Sequence, residues 1–514
     1  MQFLSIPPAR SALRLCTALR IAFSIMFLAT GASAHNWYLA QVSSGAGTGA
    51  DAADALPIGW INSPGNWGSG PNVVSPGDTV HLTGTITSSL TAFASGVQGN
   101  PITIYFEPNA RMSQPASGLI NISNQSYIVI DGGTNGILEN TDNGTALDYH
   151  VSTNGIYACS VSNIEIKNLS IQNLYVHTSP ADSAIDFTSA GGIYMNGFGS
   201  NISIHDCTFH DICWCLTLSG SPGASGLNIY NNTFYNYDHA VAGIGGNLAS
   251  PANVDIHNNT FGSTANWDTT ANVYHHDGIH IYFGTGGLIS GVNIYGNLFQ
   301  GDQGNNNTAH IFLEGDWSHG NPESISNIAL WNNVFLQYPG NYLNDGFLAG
   351  AGGNASLYNN TFVGSGITNS SAVTMSGSGL SIKNNLISGV TTFLSIGGSS
   401  TFAAGGLNNN LYAAATPGGN APFSFLNTSY NTLSAWQAAT NGDSNSSVVI
   451  GAQIESNGQL ELGSAAIGAG ANLSPYFNTD KNGSIRNAPW DIGAFDAPLP
   501  PPVENVRVRW SWTR

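Results

Sequence analysis

The sequence predicts an all-β chain wound as a parallel β-helix, and three observations predict it. A short phrase recurs along the chain, apolar and polar residues alternate within each copy, and each copy breaks at an asparagine-dominated turn. The phrase reads IEIKNLSI at 164–171, ISIHDCTF at 202–209, LNIYNNTF at 227–234 and VDIHNNTF at 254–261. It continues as VNIYGNLF (292–299), IALWNNVF (328–335), ASLYNNTF (355–362) and LSIKNNLI (380–387). Successive starts lie 38, 25, 27, 38, 36, 27 and 25 residues apart. Alternation with period two marks a half-buried strand, and a repeat of this length holds three short strands. Coils stacked about 4.8 Å apart bury one continuous apolar stripe that no coil could bury alone.

Taken in chain order, residues 1–34 read as a secretory signal peptide. Arg10, Arg14 and Arg20 precede the apolar IAFSIMFLATG (21–31), and ASA ends at Ala34. That run is too short to span a bilayer, and no later segment is long enough either. The expected product is secreted or periplasmic, with no transmembrane segment after signal removal. It keeps 8 basic residues against 29 acidic ones, a net charge of 8 − 29 = −21. Such a surface repels nucleic acid and anionic lipid, which need Lys or Arg to displace counterions. A monomer is expected.

Residues 35–117 read as an N-terminal cap with opening coils, 118–412 as the β-helix repeats and 413–496 as a closing segment. Residues 497–514 read as a Pro-rich linker and a short basic-aromatic tail, VRVRWSWTR. At the repeat's turn, Asn231, Asn258, Asn332, Asn359 and Asn384 are expected to bond from coil to coil. Asn232, Asn259, Asn297, Asn333, Asn360 and Asn385 form a second row beside them. Cys159, Cys207, Cys213 and Cys215 remain after export, expected in one or two disulfides or as small core fillers.

With these coils in view, the chain resembles the secreted right-handed parallel β-helix proteins of the pectate lyase-like and polygalacturonase-like superfamily. SPGDTVHLTGTIT (75–87) and GNPITIYFEPNARM (99–112) are similar to that family's opening coils. RNAPWDIGAFD (486–496) is similar to its closing "DIGAYE" segment. The resemblance covers roughly residues 37–496. It implies the fold and, since the superfold carries lyases, hydrolases, epimerases and inert adhesins, it leaves the activity open.

The candidate chemistry lies in YHHDGIHIY (274–282) and AHIFLEGDW (309–317). A further strand precedes each phrase, as in NGIYAC (154–159), GGIYMN (191–196), DHAVAG (238–243), DGIHIY (277–282) and DGFLAG (345–350). Asp or Asn before Gly suits a corner, so Asp277 also has a turn-forming reading. Alternation turns Ile279 and Ile281 inward and His280 and Tyr282 outward. Phe312 is then expected beside His280, Glu314 beside Tyr282, and Tyr194 in the same outward row some coils earlier. Asp277, Glu314 and Asp316 are the candidate acid and base, with His280 assisting. His276, Tyr282, Phe312, Tyr194 and Trp267 are the candidate substrate contacts, because aromatic faces pack on sugar C–H faces. No metal set and no cofactor is expected. In HDCTFHDICWC (205–215), alternation points His205 outward and Cys207 inward, which argues against a shared zinc.

Between residues 112 and 480 the only cations are Lys167 and Lys383, in one register but many coils apart. Uronate lyases and epimerases need a cation to neutralise the substrate carboxylate, so that class is disfavoured. The polygalacturonase set is also missing beyond DGI. Two classes remain: a secreted protein that binds, and hydrolyses, a neutral or weakly charged extracellular polysaccharide, or a non-catalytic adhesive or matrix solenoid.

Overall fold

The computed structural model describes residues 34–114, 118–140, 154–174, 191–264, 276–282, 287–304, 307–315, 323–339, 343–366, 371–414 and 422–497. Its strands form a single continuous sheet wound as a right-handed parallel β-helix. Register shows why the repeat length matters. Ile202–His205 pairs with Leu227–Tyr230, and that strand with Val254–His257, each partner one phrase later. An antiparallel pair, Phe423–Phe425 with Thr428–Tyr430, interrupts the parallel winding near its end, before Ser447–Ile450 pairs parallel with Leu411–Ala414.

Inside, the apolar residue closing each phrase builds a column. Phe209, Phe234, Phe261, Phe299, Phe335 and Phe362 stack with ring centroids 4.5–5.1 Å apart, each at most 1% exposed. Burying such a side chain is worth roughly 1.5–3 kcal/mol. The C-terminal end is capped by a helix, Leu433–Thr440, whose buried Trp436 stacks on Phe423 at 4.9 Å. Closing the apolar end of a solenoid in this way keeps its last coil from solvent.

The continuous coil-to-coil ladder runs through the second asparagine row, whereas the first row bonds across coils only in places, Asn384 Nδ2 to Asn359 Oδ1 at 3.0 Å and Asn231 Nδ2 to Asp206 Oδ1 at 3.2 Å among the described residues. Asn232, Asn259, Asn297, Asn333, Asn360, Asn385 and Asn410 are buried. From Asn259 onward each Oδ1 accepts from the backbone N–H and the Nδ2 of the asparagine one coil earlier, at 2.9–3.1 Å. The first row takes the left-handed turn instead, with φ between 48° and 56° at Asn231, Asn258, Asn332, Asn359 and Asn384. Asn tolerates that conformation better than other side-chain-bearing residues. The bend at the first position aims its successor along the stack.

Among the described residues no disulfide joins two cysteines: Cys159 is half-buried, and Cys207, Cys213 and Cys215 are buried. Cys207 and Cys215 fill small places in the apolar core. Cys207 stands in the asparagine column, its N–H donating to Asn232 Oδ1 at 3.0 Å, and burial pushes its thiol up to about 12. His205 faces the other way and stacks on Tyr230 at 4.5 Å, so the two do not share a metal.

Ser447–Ile450 still belongs to the coils, parallel to Leu411–Ala414, and residues 451–497 fold back along the outside. Arg486 fastens them: its guanidinium bonds Asn332 Oδ1 (3.0 Å), the carbonyls of Gly493 and Ala494 (both 2.9 Å) and Asp496 Oδ1 (2.7 Å). Asn359 Nδ2 adds bonds to the carbonyls of Asp491 and Gly493, both at 2.9 Å. No helix among the described residues is long and apolar enough to cross a membrane.

Candidate functional site

The face that carries the candidate residues is one ladder of the helix. Its strands are β1 (Asn154–Tyr157), β2 (Gly191–Phe198), β3 (Thr208–Gly220), β4 (Thr233–Gly245), β5 (His276–Ile281), β6 (Asn307–Leu313) and β7 (Leu343–Ala351). Two columns cross it. One runs Gly191, Trp214, His239, Asp277, Ala309, Gly346. The other runs Tyr157, Tyr194, Thr217, Ala242, His280, Phe312, Ala349. Between them Gly278 and Ile279 turn into the core. A Cβ at Gly278 would stand 2.7 Å from the His310 carbonyl and 2.8 Å from the Phe299 ring, so the corner admits only glycine.

Ile279 and Ile281 are fully buried, Phe312 lies beside His280 with rings 4.8 Å apart, and Tyr194 holds the same column three strands earlier. Glu314 follows β6 in the position next to Tyr282 and reaches His280, Oε2 to Nε2 at 2.9 Å. Asp277 lies behind, its Oδ1 accepting from the Ala309 N–H at 3.2 Å and its Oδ2 3.5 Å from His280 Nδ1. His276, expected to touch substrate, is fully buried and turned toward Asp238, Nδ1 to Oδ1 at 3.3 Å. In this structure it contacts no solvent, because β5 is buried along its whole length. Asp316 and Trp267 lie outside the described residues.

The structure adds three residues to the site: Trp214, Asp238 and His239. His239 Nε2 is 3.4 Å from Asp277 Oδ2, and its Nδ1 is 3.3 Å from Asp238 Oδ2. Trp214 covers His239 at 4.6 Å between ring centroids and points its indole N–H at Asp238 Oδ2, 3.4 Å away. His239 was hidden by a one-residue offset. Read as corners, Asp238 aligns with Asp277; in the ladder His239 is opposite Asp277, and Val241 opposite Ile279. The same offset moves Asp345 off the column, where Gly346 stands. Tyr237, fully buried, continues the inward column of Leu174 and Ile212.

Electrostatics divide the cluster. Burial alone would lower the His239 imidazole, but hydrogen bonds to Asp238 and Asp277 outweigh it and raise the group to about 9. Burial would raise Asp238, but bonds from His239 and His276 hold it well below the ordinary carboxylate range. Burial lowers His280, only partly opposed by Glu314 and Asp277. One imidazole is thus held charged in the interior and another neutral near the opening. His280 and Glu314 keep 6% and 5% exposure, against none for Asp277, so the pair is the cluster's edge toward solvent.

Beside that edge lies a shallow cleft of about 160 Å³, with Thr217, Leu218 and Gly243 between the aromatic walls Tyr194 and Tyr282. A larger cleft of about 520 Å³, bordered by Tyr295, Trp331 and Phe477, lies under the closing segment on another face. There the rings stack on one another, Tyr295 on Trp331 at 4.3 Å, so their flat faces are already covered.

No family model matches the chain, and no curated protein matches it in sequence. Solved structures similar to it include a GH136 lacto-N-biosidase from Eubacterium ramulus, with TM-score 0.44 and 10% identity, covering 76% of this chain and 67% of that one. Pectate lyase Pel9A is similar with TM-score 0.38 and 14% identity, over 90% of this chain and 96% of that one. A rhamnogalacturonan lyase gives TM-score 0.35 and 14% identity, over 89% and 96%. Likenesses this distant say nothing of the chemistry here, which rests on the residues described above.

Proposed function

We propose that this is an exported β-helix protein that binds a neutral or weakly charged polysaccharide along the β1–β7 face and hydrolyses it beside Glu314. The observation that carries the reading is the array Asp277–His280–Glu314, with 3.5 Å and 2.9 Å separations, its His280 ring packed by Tyr282 and Phe312 and its Glu314 end at the edge toward solvent. Glu314 is the group that exchanges a proton with the glycosidic oxygen. His280 passes charge changes inward, and Asp277, fully buried, is a positioning residue. The second carboxyl that glycoside hydrolysis needs is assigned to Asp316 from its place in the chain.

A neutral substrate is favoured because, among the described residues, no Lys or Arg stands on this ladder; Lys167 and Lys383 lie on the ladder of the repeated phrase. The cleft is smaller than the roughly 300–1,000 Å³ that encloses a drug-sized ligand. It suits one stretch of a longer chain laid along the face.

The test is a reducing-end assay of the purified protein against a panel of neutral, acetylated and uronate polysaccharides. New reducing ends that vanish in Glu314→Gln and Asp316→Asn carry the hydrolase reading. Unsaturated ends in place of hydrolytic ones would transfer the site to a lyase. Binding without new ends would transfer it to an adhesive or matrix solenoid.

A further inference from the structure

We propose that His239, Asp277 and His280 form a binding site for a divalent transition-metal ion, zinc in the first instance. The inference goes beyond the glycan reading and stands whether or not a polysaccharide is cleaved. Among the described residues, these three bring one ligand atom each to within 4.8 Å of one another, all buried. They come from adjacent strands, β4 and β5, in ladder register, so the backbone already holds them in place.

The separations suit a shared cation. Asp277 Oδ2 is 3.4 Å from His239 Nε2 and 3.5 Å from His280 Nδ1. Both are close to the edge of a tetrahedron with Zn–N and Zn–O bonds of about 2.0–2.1 Å, which is roughly 3.3 Å. The third edge, between the imidazoles, closes with a shift of at most about 1.5 Å from the 4.8 Å limit.

The nitrogens turned away from this point have the partners that metal-bound histidines require. His239 Nδ1 faces Asp238 Oδ2 at 3.3 Å, and His280 Nε2 faces Glu314 Oε2 at 2.9 Å. A carboxylate accepting the outer N–H directs the inner nitrogen at the metal and raises its basicity, and zinc displaces the proton that His239 carries on that nitrogen without metal. Both histidines satisfy this at once. The Ala309 N–H holds Asp277 Oδ1, which leaves Oδ2 as the carboxylate's ligand. Two imidazoles and one carboxylate suit zinc and its neighbours, whereas calcium takes six to eight oxygens. Three protein ligands leave a fourth position open.

The experiment is equilibrium titration of the chelator-stripped full chain with zinc chloride, repeated with cobalt chloride for its visible absorption. One equivalent of zinc and a tetrahedral cobalt spectrum are expected. His239→Gln should abolish both. Asp238→Asn, which keeps all three ligands, should weaken binding 10–100-fold, and circular dichroism of each variant checks the fold. His257→Gln, on another ladder, should leave binding unchanged. No bound zinc, or zinc unaffected by either His239→Gln or Asp238→Asn, overturns the proposal. Metal binding without any reducing-end activity would sink the hydrolase reading and leave this one standing.

Discussion

His239 and Asp277 face each other across neighbouring coils, Nε2 to Oδ2 at 3.4 Å, at the centre of a buried array of carboxylates and imidazoles. Burying charges is expensive unless each is paired. Here the pairing is shared: Asp238 and Asp277 both border His239, and His280 connects Asp277 to Glu314. A purely structural corner has no need of such an arrangement. Asn154, Gly191 and Gly346 hold the corresponding place in other coils without any charge.

The two asparagine rows should respond differently to mutation. Asn297 accepts from the N–H and Nδ2 of Asn259, and donates to the Ile256 carbonyl and to Asn333 Oδ1. Asn297→Ala leaves several buried groups without partners, at about 1–3 kcal/mol each. A total loss of roughly 3–5 kcal/mol is expected in denaturant unfolding. Asn258 has φ 55°, so Asn258→Gly should change stability by less than about 1 kcal/mol, and Asn258→Ala should cost about 1–2 kcal/mol.

His310 supplies the pH prediction. It sits fully inside the coil among Phe299, Phe335 and Phe347, and neither ring nitrogen has a hydrogen-bond partner among the described residues. Burial pushes its imidazole down to about 3. The folded value lies below the unfolded one, near 6.5. Its contribution is therefore complete above about pH 6.5 and is lost as pH falls toward 3, by up to roughly 5 kcal/mol. His310→Leu should remove this acid limb and raise stability at pH 7 by about 1–2 kcal/mol. Unchanged acid sensitivity in that variant would show that other groups govern it.

How much of this was legible beforehand differs between winding and site. The repeated phrase carries its own alternation, so the paired strands Leu227–Tyr230 and Val254–His257 could be aligned by eye. The outward placing of His280 followed from Ile279 and Ile281 in the same way. His239 could not be found, because aligning the corner residues Asp238 and Asp277 is one residue out of the ladder register, in which His239 is opposite Asp277, and a shift of one residue exchanges the faces of a strand. Matching Asp238 to Asp277 hid the neighbour that mattered. For the same reason the ladder was assigned to Asn231 and its row: spacing is identical in both rows, and only the left-handed turn distinguishes them.

The closing segment should detach as a unit when Arg486 is changed. Its guanidinium is buried and makes six bonds, five of them to residues within the segment (Thr479, Asp491, Gly493, Ala494 and Asp496) and one to Asn332 of the coils. Lysine cannot reproduce that planar fork. Arg486→Lys and Arg486→Ala should each cost about 3 kcal/mol or more, since carbonyls and a carboxylate lose a charged donor. Limited proteolysis should then cut within 451–497 before the coils. Simultaneous loss of both would show that the segment is integral to the solenoid's fold.

Glycan contact should depend on Tyr194 and Tyr282, which wall the cleft beside Glu314. Tyr282 is braced edge-on by Trp214 at 6.3 Å and lies 4.6 Å from His280, whereas Tyr194 stacks on Tyr157 at 5.4 Å. A ring–sugar contact of the size of an aromatic pair is worth about 0.5–1.5 kcal/mol. Each Tyr→Ala change should therefore weaken binding between two-fold and about twelve-fold. Tyr282→Ala should also lower turnover, because it removes packing from His280, while Tyr194→Ala should raise KM alone. Affinity measured with an inactive Glu314→Gln background separates the two effects. Equal losses of turnover from both variants would place the reacting bond nearer the middle of the cleft than beside Glu314.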